Sequence, residues 1–147
     1  MTKTLLSTQQ KLTSYLDQAM ELERADMGLI RSFDFLSNTL KVILERGIDI
    51  DFPEQFKVAR PFDSTACGRA AGLCKTVVIE DVEQDIGLMP YREFLRSAGF
   101  RSIKSVPLIH HDGTLRGVLC MICRHPRWGW QVNILDELVG EITACIA

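Results

Sequence analysis

The fold is decided by residues 101–123, which read RSIKSVPLIHHDGTLRGVLCMIC. Residues 101–109 and 114–123 are runs of mainly apolar and β-branched residues, and such short runs bounded by turn residues predict strands. The polar stretch between them ends in Asp112 and Gly113, a pair that strongly favours a tight hairpin. We therefore predict two antiparallel neighbouring strands in this half of the chain.

The rest of the chain adds a second strand pair and several helices. Consecutive antiparallel strands, with helices gathered at the ends and in one insertion, indicate an α+β fold and not a wound parallel sheet. The further predicted strands cover residues 25–34, 38–47 and 76–81, and the predicted helices cover 4–24, 51–60, 66–72, 90–98 and 130–147, with a loop at 82–89.

The N-terminal helix is predicted to act apart from the core of the domain. Its apolar stripe is narrow and consists of Leu5, Leu12, Leu16, Ala19 and Leu22. A narrow stripe suits a seam with a partner helix better than burial in a core. We therefore divide the chain into a signalling and dimerisation helix, residues 1–24, and one domain, residues 25–147, which includes the C-terminal helix.

Composition limits the possible partners. The chain has 147 residues, 17 basic and 19 acidic, and a net charge of -2, so neither nucleic acid nor an anionic membrane is an expected partner. The most apolar run, residues 117–123, is far shorter than the ~20 residues of a membrane-spanning helix. The first ten residues lack the apolar stretch of a secretory signal, so we expect a soluble cytoplasmic domain.

This order of elements, with certain residues inside it, resembles the GAF domain family of small-molecule sensors over about residues 20–147. The order and spacing of several segments together carry the resemblance. They are Ala25–Gly28, Ser64–Ala70, Val77–Val82, Pro90–Arg92 leading to Ala98–Ser102, and Ser105–Leu108 running into Gly113–Leu119.

The resemblance implies a profilin/PAS-like central antiparallel sheet of five or six strands. Terminal helices would pack on one face, and irregular segments would roof a pocket on the other. In that family the pocket receives cyclic nucleotides, tetrapyrroles, haem, small anions or metabolites, so the ligand and any cofactor stay unidentified. The resemblance also implies a homodimer through the terminal helices and a non-enzymatic input domain. Its output domain would belong to a bacterial two-component or cyclic-dinucleotide protein, such as a histidine kinase or cyclase.

The helix predicted at residues 66–72 offers a ligand site. Asp63 or Ser64 can cap this helix, which leaves the amides from Thr65 to Cys67 near its positive end, a natural place for a carboxylate or phosphate. The alternative is that Ser64 only prevents fraying of the helix.

Other candidate pocket residues come from the insertion and from the first hairpin strand. Asp81 can orient a ligand donor or form an Asx turn, and Tyr91 with Arg92 can line a pocket or pack as a wall. Ser105 and Pro107 share one strand face, which is either a pocket floor or plain core.

The five cysteines predict reduced thiols, not disulfides. Cys120 and Cys123 are three apart on a predicted strand and so point to opposite faces, which argues against a shared metal. Cys67, at a helix N-terminus, is either a redox-sensing thiol or a small buried one. The three histidines fall in predicted loops, and we expect no metal site.

Two rival functions remain open at this point. One is a purely structural dimerisation module with a vestigial pocket. The other is a thiol-dependent methionine sulfoxide reductase, an activity known in relatives of this fold. The cysteines look too scattered for the reductase, because Cys67 and Cys74 lie on or after the short helix while Cys120 and Cys123 lie on a strand.

Overall fold

A computed structural model of the chain describes residues 6–131 and 133–146. Strands and helices follow one another along the chain in the order that the sequence predicts, apart from the short strand β3. They are α1 Thr8–Glu23, β1 Met27–Asp34, β2 Thr39–Arg46, α2 Glu54–Lys57, β3 Val58–Ala59, α3 Ala66–Leu73, β4 Val77–Ile79, α4 Arg92–Ala98, β5 Ser102–Ile109, β6 Leu115–Cys123 and α5 Asp136–Cys145, with 3-10 turns at Val82–Gln84 and Ile86–Tyr91.

The six strands form one sheet in the order β3-β2-β1-β6-β5-β4, and every neighbouring pair is antiparallel. The predicted α+β fold and the predicted sheet are therefore confirmed. The hairpin between β5 and β6 turns at Gly113, whose φ of 89° is a conformation that glycine adopts without steric cost. Strand β3 escaped prediction because two residues are too few to show an alternating pattern.

One face of the sheet carries the terminal helices α1 and α5. They pack through a core that includes Leu12, Leu16, Ala19 and Ile142, all of them nearly or completely buried. Leu22, expected in the same apolar stripe, is instead 49% exposed. The prediction that both terminal helices share one face is confirmed, and this face is called the helix face below.

A buried ion pair fastens the helix face to β5. The Lys104 ammonium group donates to the Glu23 carboxylate at the end of α1, and both side chains are 1% exposed. Lys104 also donates to the Gln131 carbonyl, 2.7 Å away, in the segment that precedes α5. One residue of β5 therefore contacts the end of α1 and the approach to α5.

The opposite face, called the pocket face below, is covered by α2, α3, α4 and the 3-10 turns. Aromatic rings fill much of it, with centroids 5.0 to 6.4 Å apart and mostly tilted or edge-to-face. The rings belong to Phe52, Phe56, Phe94 and Phe100. The predicted roof of irregular segments is therefore present, but it is tightly packed onto the sheet.

Several predicted helix boundaries were wrong. Helix α4 begins at Arg92 and not at Pro90, because Pro90 lies inside a 3-10 turn. Helix α3 runs past Gly72 and ends at Leu73, with Cys74 in the left-handed conformation. The closing helix begins at Asp136 and not at residue 130. None of the helices among the described residues combines the length and the apolar character that a bilayer-spanning segment needs.

Candidate functional site

A small cavity, called the α3 cavity below, lies between the N-terminus of α3 and the sheet. Its volume is about 10 Å³, which is enough for about one water-sized molecule. Its lining includes Arg31, Phe56, Thr65, Cys67 and Cys120. The pocket predicted beneath the roof is therefore reduced to a cavity far smaller than a cofactor.

The N-terminus of α3 is capped by Thr65. The Thr65 hydroxyl accepts a hydrogen bond from the Gly68 amide at 2.9 Å, and Asp63 in turn accepts from the Thr65 amide at 2.9 Å. The prediction that Asp63 or Ser64 caps the helix was wrong, since Asp63 supports the cap and the Ser64 carbonyl accepts from Arg69. The positive end of the helix dipole thus lies beside the cavity.

Arg31, on β1, places a buried positive charge at the cavity. Its guanidinium group donates to the carbonyls of Leu40 at 3.3 Å, Phe56 at 2.6 Å and Lys57 at 3.2 Å. Its Nε has no hydrogen-bond partner, and no carboxylate among the described residues pairs with it. Sequence reasoning missed Arg31, although an arginine directly after the apolar residues of β1 is a signal that could have revealed it.

Two thiols meet a single hydroxyl group at the cavity. The Ser105 Oγ lies 3.7 Å from the Cys67 Sγ and 3.5 Å from the Cys120 Sγ. Ser105 and Cys120 are direct partners across the β5–β6 pairing, and α3 places Cys67 over both. The expectation that the cysteines are scattered was wrong for this pair, whereas Cys120 and Cys123 do lie in opposite cores.

The two thiols titrate as a pair. A hydrogen bond from the Cys120 thiol, helped by the charge of Arg31, outweighs burial and lowers the pKa of Cys67 to about 6. The same hydrogen bond, together with burial, raises the pKa of Cys120. Near neutral pH the pair therefore holds one proton, with the negative charge on the Cys67 sulfur.

The other predicted site residues lie away from the α3 cavity. Asp81 accepts from Arg101 at 2.8 Å, which lowers the pKa of Asp81, and it also caps the following 3-10 turn. The Tyr91 ring packs edge-on against Phe56, with centroids 5.3 Å apart. Arg92 lines a shallow pocket with Met89, and Pro107 is a buried residue of β5 that pairs with Val118.

Thus, of the eight predicted residues, Thr65 and Cys67 line the cavity, and Ser105 contacts the two thiols of its lining. A larger open groove of about 630 Å³ runs along β2 and the segment before α2, but its charged residues are exposed to solvent. Among the described residues, no group of three or more histidine, cysteine or acidic side chains can hold a metal ion.

Solved structures with this fold include domains of two-component sensor histidine kinases. The structure resembles a GAF domain/HD domain protein from Geobacter sulfurreducens, with a TM-score of 0.74, 15% identity and coverage of 97% of this chain and 93% of that chain. A GAF domain of a two-component sensor histidine kinase from Bacillus halodurans gives a TM-score of 0.72 and 14% identity, over 97% and 95% of the two chains.

A free methionine-R-sulfoxide reductase from Neisseria meningitidis, solved with its substrate, gives a TM-score of 0.64 and 21% identity, over 95% of this chain and 76% of that one. At these identities the likenesses show the fold alone. A search of curated proteins finds no significant match. The family model of the GAF domain, however, matches residues 7–145. Together with the antiparallel sheet and its two covered faces, that match shows that the chain belongs to the GAF domain family.

Proposed function

We propose that this GAF domain is a sensory input domain that binds a small anionic molecule at the α3 cavity. GAF domains commonly serve sensory and regulatory roles in signalling proteins, and sensor histidine kinases are among the structural neighbours. Thr65, Cys67 and Ser105 would contact the ligand, together with Arg31. Ser64, Asp81, Tyr91, Arg92 and Pro107 do not line this cavity and would not contact the ligand there.

The single observation that carries this proposal is the buried, incompletely paired charge of Arg31. A buried charge is costly unless it is paired and hydrogen-bonded. Arg31 is 1% exposed, its guanidinium donates to three backbone carbonyls and, among the described residues, to no carboxylate, and its Nε has no partner. An anion at the cavity would supply that missing partner and would also face the N-terminus of α3.

Entry of a ligand larger than water requires the roof to open. Arg31 holds α2 against the sheet through the Phe56 and Lys57 carbonyls. An anion that competes for the guanidinium would loosen these two bonds and release α2 from the sheet. Binding would therefore select an open state of the roof that is rarely populated without ligand.

The signal would leave through β5. Ser105 faces the thiols on the pocket face, and Lys104 pairs with Glu23 on the helix face. A shift of β5 on ligand binding would change the angle of α1 and α5, which we propose form a homodimer and lead to an output domain. A cytoplasmic two-component or cyclic-dinucleotide protein of bacteria is the proposed setting.

A thermal-shift panel of carboxylates, phosphates, nucleotides and nitrate tests the binding step. We expect at least one anion to raise the Tm of the wild-type domain and to lose this effect in Arg31→Met. The exposed Arg60→Met is the matched control and should keep the shift. No shift with any anion, or an equal shift in Arg31→Met, would contradict the proposal.

A second candidate is a structural dimerisation module with a vestigial pocket. The observation that favours it is the cavity volume of about 10 Å³, because the rings of Phe56 and Phe100 occupy the space that a ligand would need. This candidate predicts a stable dimer in solution, ligand-free native mass spectra and no thermal shift across the panel.

A further inference from the structure

We propose that Cys67 and Cys120 form a redox-active dithiol that hydrogen peroxide converts to an intramolecular disulfide. The observation behind it is the contact of both sulfurs with one hydroxyl group in a buried cavity. This chemistry does not depend on the ligand binding or the signal relay proposed above, because it involves only the two thiols and the oxidant.

The geometry brings two sulfurs together from separate elements. Cys67 comes from the first turn of α3, Cys120 from the middle of β6, and Ser105 Oγ lies within 3.7 Å of both. Both thiols are buried, with 5% and 4% of their surface exposed. The remaining three thiols lie elsewhere: Cys74 is exposed, Cys123 belongs to the core of the helix face, and Cys145 packs against that core.

The surroundings divide the two thiols into a nucleophile and a resolving partner. Arg31 and the N-terminus of α3 both favour negative charge on the Cys67 sulfur, and the thiolate is the reactive form of cysteine. The pKa of Cys67 is lowered to about 6 and that of Cys120 is raised, so that Cys120 retains the proton near neutral pH.

The size of the cavity selects the oxidant. Both sulfurs line a space of about 10 Å³, which admits one molecule of about the size of water. Hydrogen peroxide is close to that size, whereas alkyl hydroperoxides are too large to enter without opening the roof. The site is therefore expected to discriminate strongly between the two.

The reaction proceeds in two steps that balance. The Cys67 thiolate attacks one peroxide oxygen, so that an S–O bond forms, the O–O bond breaks, and the departing hydroxide takes the Cys120 proton to give water. The Cys120 thiolate then attacks the Cys67 sulfenic sulfur. The S–S bond forms, the S–O bond breaks, and the second hydroxide takes a proton from solvent. The two sulfurs are oxidised by two electrons in total, and peroxide is reduced to two waters.

The test treats the reduced full chain with equimolar hydrogen peroxide at pH 7, alkylates it in denaturant and maps the linked peptides by mass spectrometry. We expect a Cys67–Cys120 link, a loss of two titratable thiols per chain and full reversal by dithiothreitol. A link between other cysteines, or oxidation of Cys74 while Cys67 and Cys120 remain free, would overturn the proposal.

Three variants assign the roles of the thiols. Cys120→Ala should leave a sulfenic acid on Cys67 that dimedone traps, and Cys67→Ala should form no intramolecular link. Cys74→Ala is the matched control and should form the link at the wild-type rate. If either alanine variant fails to fold by circular dichroism, the wild-type linkage map decides alone.

Two rate measurements test the assigned chemistry. The rate of linkage should rise about tenfold between pH 5 and pH 7, because the thiolate fraction grows as pH passes the Cys67 pKa of about 6. tert-Butyl hydroperoxide should react at least about tenfold more slowly than hydrogen peroxide. A linkage rate that does not change with pH would contradict attack by the Cys67 thiolate. Equal rates with hydrogen peroxide and tert-butyl hydroperoxide would contradict selection of the oxidant by the size of the cavity.

Discussion

Two cationic side chains are buried on opposite faces of the same sheet, and they have different kinds of hydrogen-bond partner. Lys104, on the helix face, has a carboxylate partner in Glu23 and a carbonyl partner in Gln131. Arg31, on the pocket face, donates to three carbonyls, contacts no carboxylate among the described residues and leaves its Nε unpaired.

This difference in partners indicates a difference in role: Lys104 fastens elements to one another, whereas Arg31 can receive an anionic partner. A neutralised buried pair fixes the arrangement of the groups that hold it, and breaking it by removing one partner is strongly destabilising. A buried cation held by carbonyls alone keeps a net positive charge, which an anion or a thiolate can share. Lys104 therefore holds the terminal helices to the sheet, while Arg31 sets the chemistry of the α3 cavity.

The largest expected effect comes from removing the partner of Lys104. Glu23→Ala leaves an unpaired buried ammonium group and should lower the free energy of unfolding by about 3 to 5 kcal/mol in urea titration. Glu21→Ala, an exposed change on the same helix, is the control. A loss below about 1 kcal/mol for Glu23→Ala would show that Lys104 reaches solvent and that the contrast with Arg31 is false.

A smaller effect is expected for the cation without a carboxylate. Arg31→Met leaves three carbonyls without their donor but removes no partner from a buried carboxylate, so the loss should be about 1 to 3 kcal/mol. The exposed Lys41→Met on the neighbouring strand is the control. A loss as large as that of Glu23→Ala would indicate that Arg31 is as firmly fixed as Lys104.

A smaller loss of stability is expected on the pocket face when the N-terminal cap of α3 is removed. Thr65→Ala removes the hydroxyl that accepts from Gly68 and should cost about 1 kcal/mol in urea unfolding. Ser64→Ala should cost less than about 0.5 kcal/mol, because the hydroxyl of Ser64 does not cap the helix. The reverse ranking would restore Ser64 as the cap.

The smallest effect concerns the roof of the pocket face. Arg69 donates two hydrogen bonds to Asp85 and thereby lowers the pKa of Asp85 in the folded state. The resulting stability is present above the unfolded pKa of about 4 and is lost as pH falls through the folded pKa. Asp85→Asn should therefore cost up to about 1 kcal/mol at pH 7 and progressively less below pH 4.

Urea titrations at several pH values measure this difference, with the exposed Asp49→Asn as control. A cost for Asp85→Asn that stays constant from pH 7 to pH 2 would show that the ion pair is not its source.

The sequence was sufficient for five of the six strands because their signals are local. Asp112 and Gly113 fix the hairpin turn, and the runs on either side have the composition of strands. The pocket face was less predictable, since it depends on where separate elements meet. Whether Cys67 contacts Cys120 depends on how α3 lies across β6, and no spacing in the chain expresses that.

The sequence did not predict the cap of α3 or the role of Arg31, and the reasons differ. Asp63, Ser64 and Thr65 are three adjacent residues that can each cap a helix, and the helix start decides among them only in three dimensions. Arg31 is a mid-chain arginine whose burial follows from the carbonyls of α2 folding over it. The choice of cap is not visible in the residue pattern, and for Arg31 the pattern offers only its position directly after the apolar residues of β1.

Hydrogen exchange tests most directly whether β5 connects the two faces. Cys67→Met, which fills the α3 cavity, serves as the perturbation in the wild-type background and in one where Glu23→Leu and Lys104→Met replace the ion pair. In the wild-type background, we expect Cys67→Met to make the backbone amides of residues 18–24 and 128–136 exchange faster. In the background without the ion pair, we expect no such change. Exchange that changes only on the pocket face in both backgrounds would contradict the connection.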